Sequence, residues 1–261
     1  MGLKFRFLGT GTSVGVPQIG CTCPTCTSSD PRDRRRRCGA YVAAGRVGFL
    51  IDTPPEMREA CLAYGIDKVD AVVLTHAHMD HIAGFDDVRR FNTLNGGVPM
   101  RCFAMPETVE AMHRIFPYIG EKPNEIGLFR PMIHFVEDDR FSIGSVEVER
   151  VRVEHGFPCC GYLLSEAGTR LGYVSDCHEL PDAAVERFAA VDVLVLNCLR
   201  ERPHPTHLDL ERALGYIERI RPRRAYLIHM CHDLSHADWL SRLADTVAQP
   251  AYDGLEITVQ S

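Results

Sequence analysis

The sequence predicts an α/β domain of two mixed β-sheets packed face to face, with helices covering both outer surfaces. Three observations carry that reading. Short β-branched and aromatic runs alternate with amphipathic helical stretches along most of the 261 residues. Two runs, Val69-Asp70-Ala71-Val72-Val73-Leu74 and Val191-Asp192-Val193-Leu194-Val195-Leu196, are almost continuously apolar, as strands buried on both faces must be. No Pro/Gly/Ser-rich linker divides the chain, so 1–261 reads as one domain carrying a Cys-rich loop at about 20–37.

Strands are expected at 3–9, 41–44, 47–52, 69–75, 100–104, 145–153, 161–165, 170–176, 191–197, 225–229 and 255–259. Helices are expected at 55–64, 83–92, 106–116, 181–189, 208–220 and 236–245. Pro106 and Pro181 suit first-turn positions, and Ser235 suits the cap of the last helix. Residues 21–37, rich in Cys, Ser, Pro and Arg, read as one loop. Residues 118–131, with Gly, Pro and Asn, read as a second loop forming a flexible rim.

Composition narrows the function. Apolar residues make up 45%, enough for a sizeable core, and 25% are charged, which excludes a disordered chain. A net charge of −6 argues against long RNA or DNA as a partner. No apolar run approaches the ~18 residues of a membrane span, and the start, MGLKFRFLGTGT, shows no signal-peptide block. The expected location is the cytoplasm. The 11 cysteines are too sparse for a disulfide scaffold and odd in number, so clustered thiols become metal-ligand candidates.

The strongest signal is His76-Ala77-His78-Met79-Asp80-His81, directly after the buried strand ending at Thr75. Side chains at i and i+2 of an extended segment project to one side. His76 and His78 can therefore share one ion, and a turn lets Asp80 and His81 reach a second. Imidazole and carboxylate ligands suit Zn, Mn, Fe or Ni. A plain His-rich surface loop would not gather four such groups in six residues at a strand's carboxyl end. A second cluster, Cys21, Cys23 and Cys26, places three thiols within six residues, and soft thiolates favour the closed tetrahedral shell of structural zinc. The fourth ligand is not local: His229-Met230-Cys231-His232 offers His232, with Cys231 as a rival.

The H-x-H-x-D-H stretch is the signature of the metallo-β-lactamase superfamily, which the chain resembles across nearly its whole length. That resemblance implies a four-layer αβ/βα sandwich with a dinuclear metal site at one edge of the sheets. It implies His155 as the third His of the first metal and Asp176, ending Gly172-Tyr173-Val174-Ser175-Asp176, as the bridging carboxylate. It further implies His229 as the last ligand of the second metal and Asp52 as the carboxylate that orients a ligand. Two divalent cations bring about +4, two carboxylates and a hydroxide remove about 3, and the remainder of about +1 suits a phosphodiester centre.

A narrower resemblance, to the PhnP-like phosphodiesterase branch, rests on Gly9-Thr10-Gly11 through Gly15-Val16-Pro17, the three cysteines, Thr75-His76 to His81, and His229 with His232. The branch implies that Cys21, Cys23, Cys26 and His232 hold a structural zinc, and that the catalytic pair is Mn or Zn. Gly9, Gly11 and Gly15 are read as allowing a tight turn beside the metals, since their spacing is not a dinucleotide fingerprint. The branch also suggests His207 as a catalytic and substrate-binding residue. Thr206 and Asp209 fit a capping box that would put it in a first helical turn, where the dipole lowers its pKa. His204 is a rival for that role. His113, His134, His178 and His236 have no motif support and read as structural or exposed. Cys159, Cys160 and Cys177 read as packing. Arg34 to Arg37 could bind phosphate or RNA, although such a run is more often a solvated face, here partly offset by Asp30 and Asp33.

The expected function is metal-dependent hydrolysis of a small phosphodiester, of cyclic-phosphate or nucleotide type, by a hydroxide activated between the two metals. Homodimers are common in the branch. The rivals are a nuclease of the transfer-RNA 3′-end type, a thioester or lactam hydrolase, and a non-enzymatic zinc protein. The first would need a substrate-gripping insertion, and none of sufficient length is visible. Secreted lactamases carry a signal peptide and usually a Cys ligand to the second metal.

Overall fold

A computed structural model describes residues 2–120 and 129–260. The strands are β1 (Leu3–Gly9), β2 (Gly39–Ala44), β3 (Val47–Ile51), β4 (Ala71–Val73), β5 (Met100–Phe103), β6 (Ile133–Val136), β7 (Arg140–Ile143), β8 (Val146–Val153), β9 (Cys159–Glu166), β10 (Thr169–Val174), β11 (Val193–Asn197), β12 (Arg224–Ile228), β13 (Ala248–Pro250) and β14 (Glu256–Val259). They form two seven-stranded sheets, ordered β14-β1-β2-β3-β4-β5-β6 and β13-β12-β11-β10-β9-β8-β7. The first is antiparallel from β14 to β3 and parallel from β3 to β6. The second is parallel from β13 to β10 and antiparallel from β10 to β7.

Helices cover the outer faces: α1 (Met57–Ala63), α2 (Met79–Ile82), α3 (Arg89–Leu94) and α4 (Pro106–Ile115) accompany the first sheet, and α5 (Asp182–Phe188), α6 (Leu210–Ile220) and α7 (His236–Arg242) the second. The two near-continuous apolar runs explain themselves here. Along β4, Ala71 and Val73 face the core between the sheets, while Val72 and Leu74 face the helical layer. Along β11, Val193 and Val195 face inward, and Leu194 and Leu196 meet α5 and α6. Each such side chain, fully removed from water, contributes roughly 1.5–3 kcal/mol, so neither face tolerates a polar substitution. Phe5 meets Tyr173 across the sheets with ring centroids 5.8 Å apart, and Phe7 meets Tyr226 at 5.7 Å. Two mixed sheets under helices are the expected architecture.

Several elements depart from expectation. The stretch 83–92 is not one helix. Helix α2 starts one residue after His78, a 3₁₀ turn follows at Phe85–Val88, and α3 continues from there. Gly84 lies so close to the loop after β3 that a Cβ there would sit 2.3 Å from the Pro54 carbonyl oxygen, and the helix breaks at this contact. Pro181 caps α5 rather than entering its first turn. Ser235 caps α7 in a reciprocal box with Asp238, as expected. Strands β6, β7 and β13 have no counterpart in the sequence reading. β7 and β13 are short edge strands, and β6 ends the first sheet beside β5. Edges need no two-sided apolar pattern, so periodicity does not reveal them. Of the expected loop 118–131, residues 121–128 lie outside the described residues. Gly9 and Gly11 serve close approach more than a turn: a Cβ at Gly9 would fall 1.9 Å from the Arg37 carbonyl oxygen, and one at Gly11 2.7 Å from that of Arg35.

Candidate metal centre

The loops after strands of both sheets carry the titratable side chains to one edge of the sandwich. Asp52 follows β3, Thr75 and His76 follow β4, His155 follows β8, Asp176 follows β10 and His229 follows β12. Asp52 and His229 adopt left-handed backbone conformations, φ 62° and 60°. Non-glycine residues accept that strain rarely, and functional loops are where it collects.

One buried carboxylate sets several of the imidazoles. Asp52 accepts from the Thr75 backbone N–H (2.8 Å), the Thr75 hydroxyl (2.8 Å) and His81 Nδ1 (2.7 Å). With its proton given to Asp52, Thr75 Oγ1 is left to accept from His76 Nδ1 at 3.0 Å. His155 Nδ1 donates to the Thr206 carbonyl at 2.9 Å. Each bond places the ring proton on Nδ1 and leaves the Nε2 lone pair of His76, His81 and His155 free to face the centre.

Those lone pairs converge. His76, His78 and His155 form one group, with His155 Nε2 3.4 Å from His78 Nδ1. Asp80, His81 and His229 form another, with His81 Nε2 3.4 Å and His229 Nε2 3.8 Å from Asp80 Oδ2. Asp176 stands between them: Oδ2 lies 3.0 Å from His81 Nε2, and Oδ1 lies 3.0 Å from His229 Nε2 and 4.0 Å from His155 Nε2. His76 Nε2, His81 Nε2, His229 Nε2 and Asp176 Oδ2 are buried and complete no hydrogen bond of good geometry, although His81 and His229 stand at ion-pair distance from Asp176. Buried polar atoms left unpaired cost about 1–3 kcal/mol each. Four of them aimed at one space fit divalent cations, whose ligand set of imidazoles and carboxylates they match.

The electrostatics agree. Burial alone would discharge Asp176, yet His229 and His81 hold its carboxyl well below the usual range. Burial likewise opposes charge on His229, but Asp176 and Asp80 raise it to about 9. His81 is raised against burial by Asp176 and Asp52. His76 is pushed down by burial and by His81. The carboxylates thus stay ionised, an arrangement in which cations would replace the protons between them.

His207 also joins, by a route the sequence reading misplaced. It is not in a first helical turn. Asp209 is the N-cap of α6, accepting from the Arg212 N–H at 3.0 Å, so the helix begins beyond His207. Thr206 Oγ1 is engaged with His204 Nδ1 instead, at 3.2 Å. The adjacent Leu208, fully buried, donates its N–H to the Cys177 carbonyl at 3.0 Å and pins the loop over β10. His207 Nδ1 consequently lies 3.6 Å from Asp176 Oδ1, and its ring stacks on His229 at 4.5 Å. Its pKa falls to about 3 through burial and the neighbouring His229, not through a dipole. His204 stands one ring further out, 5.2 Å from His207. Thr75 is the member of the network that sequence reasoning passed over; a hydroxyl directly before the first His of the motif, at a buried strand end, was its only signal.

The cysteine loop forms a separate group. Cys21, Cys23 and Cys26 Sγ lie 3.2, 3.5 and 3.3 Å from His232 Nδ1. Metal bonds of about 2.3 Å to sulfur and 2.0 Å to nitrogen give a tetrahedral edge of about 3.5 Å, which these distances approach. Cys231 is absent from the group; its sulfur accepts from the Asp233 N–H. The Cys26 backbone N–H lowers Cys23 to about 7, whereas burial raises Cys26 to about 11.

The arginine run proves neither solvated nor directed at the centre. Arg35 is fully buried, donating to the Cys231 (2.6 Å) and Leu234 (3.0 Å) carbonyls and pairing with Asp33 at 3.3 Å. Arg36 pairs with Asp253, whose burial pushes its carboxyl up to about 7, and Arg37 pairs with Glu56. Only Arg34 is exposed.

Comparison with known proteins follows the same lines. Residues 48–230 match the model of the beta-lactamase superfamily domain. The crystal structure of a new diphosphatase from the PhnP family superposes with a TM-score of 0.88 at 36% identity, over 99% of this chain and 98% of that one. Human tRNase Z, short form, shares the fold, with a TM-score of 0.69 and 15% identity over 99% of this chain and 100% of that one. An octanoyltransferase from Porphyromonas gingivalis is 33% identical over 98% of this chain, which spans only 52% of that relative.

Proposed function

The chain belongs to the metallo-β-lactamase superfamily, in its PhnP-like branch, and from that premise we propose that it is a metal-dependent phosphodiesterase acting on a small phosphodiester of cyclic-phosphate or nucleotide type. The observation that carries the proposal is the convergence of two His/Asp groups on Asp176, with Nε2 of His76, His81 and His229 and Oδ2 of Asp176 buried and without a hydrogen bond. In this reading His76, His78 and His155 hold one ion, Asp80, His81 and His229 hold a second, and Asp176 bridges them. Manganese and zinc both suit these donors. Cys21, Cys23, Cys26 and His232 hold one structural zinc. Two divalent ions in the centre would supply a water-derived nucleophile near neutral pH and oppose the charge of the phosphoryl oxygens.

The chain's own residues do the rest. Asp52 and Thr75 keep the imidazoles in the tautomer that presents Nε2, and Thr206 does so for His155 through its carbonyl. His207, kept neutral by burial, donates a ring N–H to a phosphoryl oxygen beside Asp176. A phosphate bound there raises its basicity, so that it can take up a proton from solvent and, as imidazolium, pass it to the departing alkoxide. The net charge of −6 and the lack of any long insertion favour small esters over long RNA. No helix among the described residues is long and apolar enough to cross a membrane.

The test is a substrate panel with manganese and zinc loaded separately: 2′,3′-cyclic nucleotides, dinucleotides, diphosphate diesters, short RNA, a thioester and a lactam. The proposal expects turnover of the small phosphodiesters and about three metals per chain. A protein with about one metal and no turnover, or one that cleaves only thioester or lactam, refutes it. Preference for RNA transfers the site to the nuclease reading.

A further inference from the structure

Phe157 stands at the metal centre without a part in it. It lies two residues after His155, in the turn between β8 and β9, and remains 40% exposed despite its size. Its ring centroid is 4.8 Å from that of His78, with the planes 33° apart. Gly156, at φ 76°, turns the chain so that His155 points inward and Phe157 sits at the rim. A Cβ on Gly156 would meet only the Thr206 methyl, at 4.0 Å, so glycine is there for its conformation and not for space. His78 is the most accessible member of its ligand group, which puts the Phe157 ring where the centre opens to solvent.

The opening is therefore asymmetric. On one side His207 and His204, rings 5.2 Å apart, offer polar nitrogen atoms. On the other, Phe157 offers a flat apolar face against His78. With a phosphoryl group held at Asp176 beside His207, a substituent directed to solvent on the His78 side would meet the Phe157 ring. An alkyl or glycerol substituent has nothing planar to lay on that ring; a nucleobase has. Aromatic pairs gain from offset stacking beyond the area they bury, and base stacking on an aromatic side chain tolerates any base.

We propose that Phe157 is the specificity-determining residue of this site, stacking the base of a nucleoside phosphodiester whose phosphate lies at Asp176. The inference rests on the phosphodiesterase reading and narrows it to substrates that carry an aromatic base close to the scissile phosphate.

Two five-membered cyclic diesters isolate the base, because both open by loss of a ribose alkoxide and only one carries adenine: 2′,3′-cyclic AMP and ribose 2,3-cyclic phosphate. In wild-type enzyme kcat/KM favours the nucleotide. In Phe157→Ala that preference falls roughly tenfold, mainly through KM, while Phe157→Trp and Phe157→Tyr keep it. Metal content and thermal midpoint of each variant are measured alongside, so that a collapsed centre is recognised. An equal loss on both esters in Phe157→Ala, an unchanged preference, or failure of Trp and Tyr to restore it overturns the role of Phe157 and leaves the phosphodiesterase reading standing. Wild-type enzyme that opens neither ester, while the wider panel also stays silent, overturns both together.

Discussion

The His/Asp centre and the Cys/His knuckle lie three residues apart along one segment, His229 to His232, yet they are built in opposite ways. The centre draws its groups from the ends of five strands in two sheets, buries most of them, and fixes the ring tautomers through Asp52, Thr75 and the Thr206 carbonyl. The knuckle takes three of its four groups from six consecutive residues, leaves Cys21, Cys23 and His232 partly exposed, and depends on one distant imidazole. Arg35 braces the segment that carries His232, through the Cys231 and Leu234 carbonyls. A site made of converging strand ends inherits the rigidity of the sandwich. A site on a loop lacks that support, and here a buried guanidinium braces the segment that carries His232.

Substitutions can break or sharpen that contrast. Asp176→Ala removes the group shared by both halves of the centre, and hydrolysis falls about 10³-fold or more with the thermal midpoint little changed; full activity in a steady-state assay would refute the bridging role. Arg35→Ala strands Asp33 in a buried site, a loss of about 3–5 kcal/mol, which lowers the midpoint by about 10 °C in a melting scan. Arg34→Ala, one residue away and exposed, shifts it by less than about 2 °C. Equal effects of the two would mean that the run is not a clamp. Cys23→Ser releases one zinc per chain by metal analysis and lowers the midpoint by at least about 5 °C, while the catalytic metals stay; unchanged zinc would show that the knuckle holds none. Asp52→Asn leaves all metal ligands in place but weakens the set of His81 and Thr75, costing about 10–100-fold in metal affinity read by chelator competition. An unaffected affinity would reduce Asp52 to packing.

Much of this was legible in the chain. The apolar runs at β4 and β11 announced sheets covered on both sides, because a strand buried on two faces has no room for alternation. His76, His78, Asp80 and His81, four potential ligands in six residues at a strand's carboxyl end, announced the cluster that the fold brings together. The edge strands β6, β7 and β13 were not legible, since an edge need not carry a two-sided apolar pattern, although β14, also an edge, was expected at 255–259. The start of α6 was misread because Thr206 and Asp209 satisfy the letters of a capping box while the Thr206 hydroxyl turns to His204. The arginine run was misread because charge runs are solvated unless the fold offers carbonyls and a buried carboxylate to receive them, as it does for Arg35.

The amino-acid order by itself decided which chemistry is available: imidazole, carboxylate and thiolate in clusters, on a chain patterned for two covered sheets. Whether Asp176 meets His229, whether His232 or Cys231 completes the knuckle, and where His207 and Phe157 stand were decided only by the packed sandwich. Those choices depend on contacts between residues up to two hundred positions apart, and side-chain direction at the end of a strand is set by what packs beneath it, which no local spacing encodes.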